Sequence, residues 1–297
     1  MALKVLLTGA GGQLGADTAR AFSGEYALAA FDSRGLDITD REKVFDTVKA
    51  EAPGVIINCA AYTKVDKAEE ERERAFAVNR DGARNIAEAA ASVNAVLLHI
   101  STDFVFDGIK PAPYVEVDPT NPLGVYGESK LRGEWEIIKS FQRHIIIRVS
   151  WLYGTGGHNF VKTILKYAAE RETLRVVYDQ VGGPTWTADL AGALLRVVKA
   201  VEENRAPYGV YHYSNEGVAS WYDFALSIVE EALVLGAPIK CSTVEPILTH
   251  EWPTPARRPP YSVLNKDKIK ETFGLKVPHW RTSLKGMLKE LYGGRDA

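Results

Sequence analysis

The sequence has few cysteines: Cys59 and Cys241 are the only two among 297 residues, and they lie far apart. They form no CxxC pair, so the sequence predicts neither a disulfide framework nor a zinc knuckle. Cys59 falls within an apolar, strand-like run, and we expect it to be a small core residue. A compact cluster of His, Asp and Glu is also missing, so no metal site is expected.

Long hydrophobic runs and an excess of one charge are likewise missing. No apolar stretch approaches 18 residues, so no membrane-spanning helix is predicted. Lys4 and the glycines after it interrupt the apolar start, which does not resemble a secretory signal. The formal net charge of -2 gives no electrostatic reason to expect nucleic acid or a membrane surface as a partner. We therefore expect a cytoplasmic protein.

The first half of the chain alternates short apolar segments with helix-like ones. Strands are predicted at residues 5–8, 26–31, 55–59, 96–100 and 144–149, and helices at 13–22, 41–50, 69–93 and 126–140. Strands that are apolar on both faces and alternate with helices predict right-handed βαβ units. The expected fold is therefore α/β, with a doubly wound, Rossmann-like parallel sheet that binds ligands beyond the carboxyl ends of its strands.

After about residue 150 the composition changes, and Trp, Tyr, Gly, His and Pro become frequent. A strand at 174–177 and a helix at 189–202 are predicted to return to the same sheet. The expected dinucleotide-binding domain is then 1–150 plus about 172–205. A smaller, mixed substrate-binding lobe would comprise about 151–171 and 206–297. The segment 246–260 contains five prolines and is predicted to be irregular.

A glycine-rich turn separates the first strand from the first helix. Gly9, Gly12 and Gly15 would permit a tight turn, close approach of a pyrophosphate and close packing of helix on strand. Asp32 follows the second strand, 17 residues after Gly15, near the separation of about 20 expected for a carboxylate on the adenosine ribose. Ser33 and Arg34 come next, and an arginine suits the 2′-phosphate of NADP. The turn predicts a dinucleotide, and Asp32 with Arg34 leaves the choice between NAD and NADP open.

Two further groups of residues suggest redox chemistry. Tyr126 and Lys130 are four apart on a predicted helix, so the phenol and the ammonium would share a face. A nearby cation would lower the pKa of Tyr126, which could then exchange a proton with a carbonyl oxygen. Thr102 and Asp103 come just after the fourth predicted strand, where Thr102 could donate to that carbonyl.

These motifs, in this order, resemble the extended short-chain dehydrogenase/reductases and, more narrowly, the dTDP-4-dehydrorhamnose reductases. The resemblance covers nearly the whole chain. It rests on GAGGQLG at 9–15, LDIT at 36–39, NCAAYTKVD at 58–66, AVN at 77–79, STDFVFDG at 101–108, SWLYG at 150–154, NFV at 159–161 and PTPARRP at 253–259. The FVFDG and PTPARRP strings are the most discriminating.

The resemblance implies a role for each candidate residue. The expected catalytic residues are Thr102, Tyr126 as general acid, and Lys130, which tunes the tyrosine and holds the nicotinamide ribose. The expected cofactor contacts, in addition to Tyr126 and Lys130, are Gly9, Gly12, Gln13, Leu14, Gly15, Asp32, Ser33, Arg34, Asp37, Ile38, Ala61, Tyr62 and Thr63. The expected substrate contacts are Thr102, Asp103, Trp151, Asn159 and Arg257, with Arg258 as a further candidate for the diphosphate.

The activity that the resemblance implies is reduction of the C4 keto group of dTDP-4-dehydro-6-deoxy-L-mannose to give dTDP-L-rhamnose. The cofactor would be NADPH or NADH, and the protein a monomer or homodimer. One alternative is a non-catalytic, NADP-binding regulatory subunit similar to that of methionine adenosyltransferase; another is a different nucleotide-sugar 4-ketoreductase or epimerase. Phe104 stands where the related dehydratases carry a glutamate. Retention of Thr102, Tyr126 and Lys130 together favours an active enzyme.

Overall fold

A six-stranded parallel sheet forms the centre of the computed structural model, which describes residues 3–293. Its strands, in chain order, are β1 (Lys4–Thr8), β2 (Ala27–Phe31), β3 (Val55–Asn58), β4 (Val96–Thr102), β5 (His144–Val149) and β10 (Gly209–Tyr213). The other strands of the described chain form three two-stranded sheets: β6 (Leu152–Tyr153), β7 (Thr173–Val177), β8 (Val181–Gly182), β9 (Thr185–Trp186), β11 (Ala219–Ser220) and β12 (Thr243–Ile247).

The helices of the described chain flank this sheet and build the second lobe. They are α1 (Gln13–Phe22), α2 (Arg41–Glu51), α3 (Val65–Ala68), α4 (Arg72–Phe76), α5 (Ala83–Ser92), α6 (Val125–Ser140), α7 (Phe160–Glu170), α8 (Thr187–Glu202), α9 (Trp221–Val234), α10 (Asp267–Phe273) and α11 (Trp280–Tyr292). A π-helical turn, Ala77–Gly82, joins α4 to α5 without a break. Between residues 3 and 293, none of these helices is long and apolar enough to cross a membrane.

The strand order β10-β5-β4-β3-β1-β2 confirms the predicted doubly wound sheet. From β1 the chain builds outward to β2 on one side and to β3 on the other, so the topological switch point lies between β1 and β3. Apolar residues of α1 and α8 cover one face, including Leu14, Leu190 and Leu194. Residues of α2 and α5, such as Val44 and Ile86, cover the other face. Both faces of the sheet are therefore buried, as its apolar strands require.

A second hydrophobic core holds the smaller lobe together. It brings residues of α7, α9 and α11 against β7, including Val161, Phe224, Leu284 and Leu174. Trp280, at the first position of α11, is 2% exposed in this core. The lobe thus has packing of its own, which agrees with the predicted change of texture after residue 150.

The prediction that the strand at 174–177 joins the main sheet is wrong. That strand, β7, pairs in parallel with β12, and the edge of the main sheet is instead taken by β10, which had been assigned to the lobe. The difference has a physical basis: side chains of β7 alternate between exposed and buried, whereas those of β5 are all buried. A strand with one solvent-exposed face suits a small sheet at the surface of the lobe.

Two predicted boundaries also change. The segment 246–260 is not wholly irregular, because Pro246 and Ile247 end β12 and Thr249–Glu251 form a 3₁₀ turn. Proline is tolerated because β12 is an edge strand. The helix predicted at 69–93 begins only at Arg72. A side chain at Gly82 would lie 2.7 Å from Ile38 Cδ1, so glycine allows this helix to pack closely on the segment after β2.

Candidate active site

The glycine turn lies at the switch point of the sheet, between β1 and α1. Gly9 has a φ of +72°, and a Cβ atom there would lie 2.5 Å from the backbone nitrogen of Ala60, just after β3. A Cβ atom at Gly15 would overlap the carbonyl oxygen of Gly9. Glycine at these two positions lets the turn, α1 and the end of β3 approach one another, which confirms the packing predicted for this motif.

The first turn of α1 fits a pyrophosphate. Its N-cap is Gly12, which offers no side-chain hydrogen bond to the first amides, and no acidic residue occupies the first turn. These amides and the helix dipole therefore favour an anion. A Cβ atom at Gly11 would come 3.2 Å from Cβ of Asp32 and would narrow the space between the turn and that carboxylate. Leu14, in contrast, points into the main core and is only 6% exposed.

Asp32 and Arg34 form an exposed pair just after β2. One carboxylate oxygen of Asp32 accepts from the backbone amides of Arg34 and Gly35, at 3.0 and 2.9 Å. The other oxygen accepts from the guanidinium of Arg34 at 3.1 Å. The Gly35 amide and then the Arg34 side chain lower the pKa of Asp32. The backbone thus holds Asp32 in place, while the Arg34 side chain is 93% exposed. Ser33, between them, is exposed.

The other predicted cofactor contacts differ in how much surface they offer. Asp37 is exposed and accepts from Thr39, whereas the Ile38 side chain is 3% exposed and lies in the core. Tyr62 is buried, and its hydroxyl donates to Glu71 at 3.0 Å. Ala61 is half-buried and Thr63 exposed.

Tyr126 comes together with Thr102 and Asp103, as predicted. Thr102 ends β4, and its hydroxyl donates to Asp103 at 3.0 Å and accepts from the Phe104 amide at 3.2 Å. Tyr126 lies in the first turn of α6, with the ring of Phe104 against it at 5.6 Å. Burial, and then the Asp103 carboxylate, raise the pKa of Tyr126 to about 12, although a hydrogen bond with Thr102 opposes the change. At neutral pH the phenol is therefore protonated.

The pKa of Tyr126 is raised and not lowered as expected from Lys130, because burial has the larger effect. The Nζ atom of Lys130 lies 2.6 Å from the carbonyl oxygen of Ile100 and 3.3 Å from Nε2 of His99, both on β4. The side chain is drawn toward the strand and is 2% exposed. Burial lowers the pKa of Lys130 itself to about 8.

A small pocket, the tryptophan cleft, lies beside Phe104 and is lined by two stacked tryptophans. The rings of Trp151 and Trp221 are 3.4 Å apart and nearly parallel, at 4°. Trp151 follows β5 in a left-handed conformation, with φ of +47°, and a side chain at Gly182 would collide with its indole. Such strain is typical of functional sites. The complete lining is Phe104, Trp151, Gln180, Trp221, Arg258, Pro259 and Ser262.

Sequence reasoning missed several residues of this cleft. Gln180, Trp221 and Ser262 come from different parts of the lobe, and nothing in their local sequence places them together. Trp221 had one usable signal: Ser220 and Asp223 form a capping box at the start of α9, which presents the next residue, Trp221, at a helix N-terminus.

The predicted substrate contacts Asn159 and Arg257 are not among the residues that line the cleft. Asn159 caps α7 and donates to Gln13 at 3.2 Å, so it supports the glycine turn and is not among the residues lining the cleft. Arg257 is exposed. Arg258 lines the cleft and makes a two-point ion pair with Asp66, at 2.8 and 3.1 Å.

The fold and the site together define a class of protein. A glycine turn at the switch point of a parallel sheet, followed by threonine, tyrosine and lysine at the end of β4 and on α6, is the arrangement of a short-chain dehydrogenase/reductase. Sequence comparison narrows this class. The family model described as RmlD substrate binding domain matches residues 3–292, and the chain belongs to the dTDP-4-dehydrorhamnose reductase family.

Individual relatives agree with this family. The dTDP-4-dehydrorhamnose reductase of Aggregatibacter actinomycetemcomitans is 43% identical over 96% of this chain and 98% of that protein. The enzyme of the same name from Escherichia coli K12 is 40% identical over 98% of both chains. A crystal structure of dTDP-4-dehydrorhamnose reductase from Bacillus anthracis in complex with NADP has a TM-score of 0.91 and 40% identity, covering 98% of this chain and 100% of that one. The predicted family is confirmed, and the reductase is favoured over the alternatives.

Proposed function

We propose that this protein reduces the C4 keto group of dTDP-4-dehydrorhamnose to give dTDP-L-rhamnose. The observation that carries the proposal is the phenol of Tyr126, which is protonated at neutral pH and hydrogen-bonded to Thr102 at the end of β4. The names of relatives at about 40% identity over nearly the whole chain supply the substrate.

In this mechanism each residue has one task. A nicotinamide dinucleotide, when bound, supplies hydride. Tyr126 donates its phenolic proton to the oxygen of the substrate carbonyl, and its raised pKa keeps that proton available at neutral pH. Thr102 orients the same oxygen through its hydroxyl. Lys130 offers positive charge on the same face of α6 as the phenolate that Tyr126 becomes.

The backbone amides at the start of α1 would hold the pyrophosphate. Asp32 and Arg34 would hold the adenosine ribose, with its 2′-phosphate where the cofactor is NADPH. We propose NADPH as the physiological cofactor, with NADH as the competitor. A relative at 40% identity was crystallised with NADP. The highly exposed Arg34 guanidinium is also suited to a 2′-phosphate.

The sugar and its nucleoside diphosphate would lie in the lobe. Trp151 would pack against the sugar, Asp103 would accept from a hydroxyl, and the exposed Arg257 would contact the diphosphate. In this proposal the dinucleotide-binding domain is 1–150 plus about 172–205, with the strand correction given above, and the lobe is the remainder. The protein would act in the cytoplasm as a monomer or homodimer.

The direct test follows the absorbance of the reduced nicotinamide. Purified protein is incubated with NADPH and dTDP-4-dehydrorhamnose, and substrate-dependent oxidation of NADPH to a product that co-elutes with dTDP-L-rhamnose is expected. A folded protein that binds NADPH but shows no such oxidation would favour the regulatory-subunit alternative.

A further inference from the structure

A buried row of hydrogen bonds connects the strand before the glycine turn to the candidate catalytic lysine. It runs from Thr8 on β1 through Asn58 on β3 and His99 on β4 to Lys130 on α6. Each of these four residues is at most 2% exposed. In so dry a setting each contact must pair a donor with an acceptor, so the position of every proton can be deduced.

The backbone sets the orientation of the Asn58 side-chain amide. The N–H group of Ala60 lies 3.1 Å from Oδ1 of Asn58, and a backbone N–H can only donate. The hydroxyl of Thr8 donates to the same oxygen at 2.7 Å. If the amide were flipped, two donors would face each other at Ala60. The NH₂ group of Asn58 therefore points toward His99.

The amide of Asn58 in turn selects one tautomer of His99. Its Nδ2 atom is 3.1 Å from Nδ1 of His99, and since Nδ2 can only donate, Nδ1 must accept. His99 is then neutral and carries its proton on Nε2. Burial lowers the pKa of His99 well below its usual value, which agrees with a neutral ring.

The proton on Nε2 of His99 points at Lys130. Nζ of Lys130 is 3.3 Å from Nε2 and 2.6 Å from the carbonyl oxygen of Ile100, to which it donates. An ammonium group has three protons and no lone pair, so it cannot accept from His99. A neutral amine can accept from His99 and donate to Ile100 at once. All contacts in the row are satisfied only by that form.

We propose that His99, held in the Nε2–H tautomer by Asn58, is a positioning residue that donates to Lys130 and favours the neutral amine form of this lysine. Once Lys130 is protonated, its ammonium can no longer accept from Nε2 of His99. His99 must then either move its proton to Nδ1, where that proton would face the NH₂ group of Asn58, or lose its contact with Nζ. The lysine is thereby prepared to change its charge close to neutral pH, where an ordinary lysine stays charged.

Other titratable groups around Lys130 do not account for this preference. Glu134, on the same helix, favours the charged form of the lysine. Cys59 would do so only as a thiolate, and burial raises its pKa to about 12. His144, on β5, acts on His99 through its charge. Burial and the His99 contact are the influences that favour the amine.

A functional consequence rests on the proposed function. The phenolate that forms when Tyr126 gives up its proton is stabilised by a cation on the same helix face, so turnover is expected to fall at high pH as Lys130 loses its proton. Replacement of His99 by a residue that can accept from Nζ would shift this fall in turnover to higher pH.

The test measures the titration of Lys130 directly and needs no substrate. The full-length protein is labelled with ¹³C and ¹⁵N at lysine and histidine, and the Lys130 signal is assigned from its absence in Lys130→Met. His99→Gln allows an amide oxygen to accept from the ammonium, so the midpoint of Lys130 is expected to rise by about one pH unit or more. His144→Gln makes the same change at the neighbouring histidine and should leave the midpoint unchanged.

A second variant protects the test against a failure of His99→Gln to fold. In Asn58→Asp the carboxylate can only accept, so the proton of His99 is expected to move from Nε2 to Nδ1 and to form a hydrogen bond with that carboxylate. Nε2 then becomes an acceptor for the Lys130 ammonium, and the Lys130 midpoint is again expected to rise. In the wild type, ring ¹⁵N shifts should show the proton on Nε2 of His99. A proton on Nδ1, or an unchanged Lys130 midpoint in folded His99→Gln, would overturn the proposal. A protein that shows the titration but no reductase activity would instead refute the proposed function.

Discussion

At the scale of single residues, Tyr126 illustrates how environment selects between acid and base. Burial and the Asp103 carboxylate raise the pKa of its phenol, so the group keeps its proton at neutral pH and is in the acid form that the reductive direction requires. Asp103 is itself affected, because burial raises its pKa to about 6. Its charge, and so its influence on Tyr126, varies in the range just below neutral pH.

Replacement of Tyr126 by phenylalanine should lower kcat by about 10²- to 10⁴-fold, the usual contribution of a general acid. NADPH binding, followed by the quenching of tryptophan fluorescence, should change little. Tyr208→Phe removes an exposed hydroxyl that contacts Arg143 and is the matched control. Equal kcat in the two variants would exclude Tyr126 as the acid.

Replacement of Arg34 by alanine should discriminate between the cofactors. Loss of one charge-assisted hydrogen bond of about 1.4 kcal/mol predicts a roughly tenfold higher KM for NADPH. The KM for NADH should stay nearly constant, because NADH has no 2′-phosphate. Arg41→Ala removes a similarly exposed arginine that pairs with Glu88 instead. If Arg34→Ala raised the KM for NADPH and the KM for NADH equally, the assignment of the 2′-phosphate to Arg34 would be wrong.

Residue-level prediction from the sequence succeeded where a motif is local and failed where partners come from distant segments. Thr102 and Tyr126 meet because a strand end and a helix start are adjacent in a βαβ unit. His99 sits inside an apolar strand and looks like a core residue until β3 and α6 are packed around it. Trp221 joins Trp151 only through tertiary contacts of the lobe.

At the scale of elements, α6 is held to the sheet by a buried ion pair. Glu134 on α6 is 1% exposed and contacts Arg148 on β5 at 2.8 Å, while Ser101 on β4 donates to the same carboxylate. The Arg148 guanidinium also lies 5.1 Å from the ring of Phe106. This arrangement fixes the position of the helix that carries Tyr126 and Lys130.

Glu134→Gln should therefore be strongly destabilising, since it leaves the Arg148 charge buried without a counter-charge. A loss of about 3–5 kcal/mol in the free energy of unfolding is expected from urea denaturation. Glu128→Gln, on the same helix, breaks a more exposed pair with Arg72 and should cost less than about 1 kcal/mol. Similar losses in both variants would show that Glu134 does not act as a buried counter-charge.

The elements themselves were predictable where they repeat a simple pattern. α1 and β5 have the predicted bounds, because a periodic apolar pattern with clear ends identifies them. The same kind of pattern could not predict which strands after residue 150 join the main sheet. β7 and β10 are both short and apolar in part, and only the packing of the lobe decides which of them reaches the main sheet.

At the scale of the whole molecule, buried histidines make stability depend on pH. His212 is fully buried on β10, and burial, followed by the Arg148 charge, lowers its pKa to about 3. In the unfolded chain it takes up a proton near pH 6.5, whereas the folded protein resists until about pH 3. Stability is therefore lost as the pH falls through this window. Asp103 acts in the opposite sense between about pH 4 and 6 because its pKa is raised.

His212→Asn should reduce this acid dependence. One such histidine contributes a slope of about 1.4 kcal/mol per pH unit, so the variant should lose less stability between pH 6.5 and 4.5 than the wild type does. Urea unfolding across that range measures the slope. His158→Asn, at an exposed position, should keep the wild-type slope. A His212→Asn slope equal to that of the wild type would contradict the prediction.

The place of β10 in the sheet also bears on how the chain folds and how it can be divided. β5 is buried along its whole length and is covered on one edge by β4 and on the other by β10, with Ile145 opposite Gly209. A fragment that stops at residue 205 would leave the isoleucine-rich β5 as an open edge, and such edges promote aggregation. During synthesis the β5 edge stays unpaired until the ribosome has released β10, because the chain between β5 and β10 must first close a loop. The main sheet is therefore completed only by residues beyond 205.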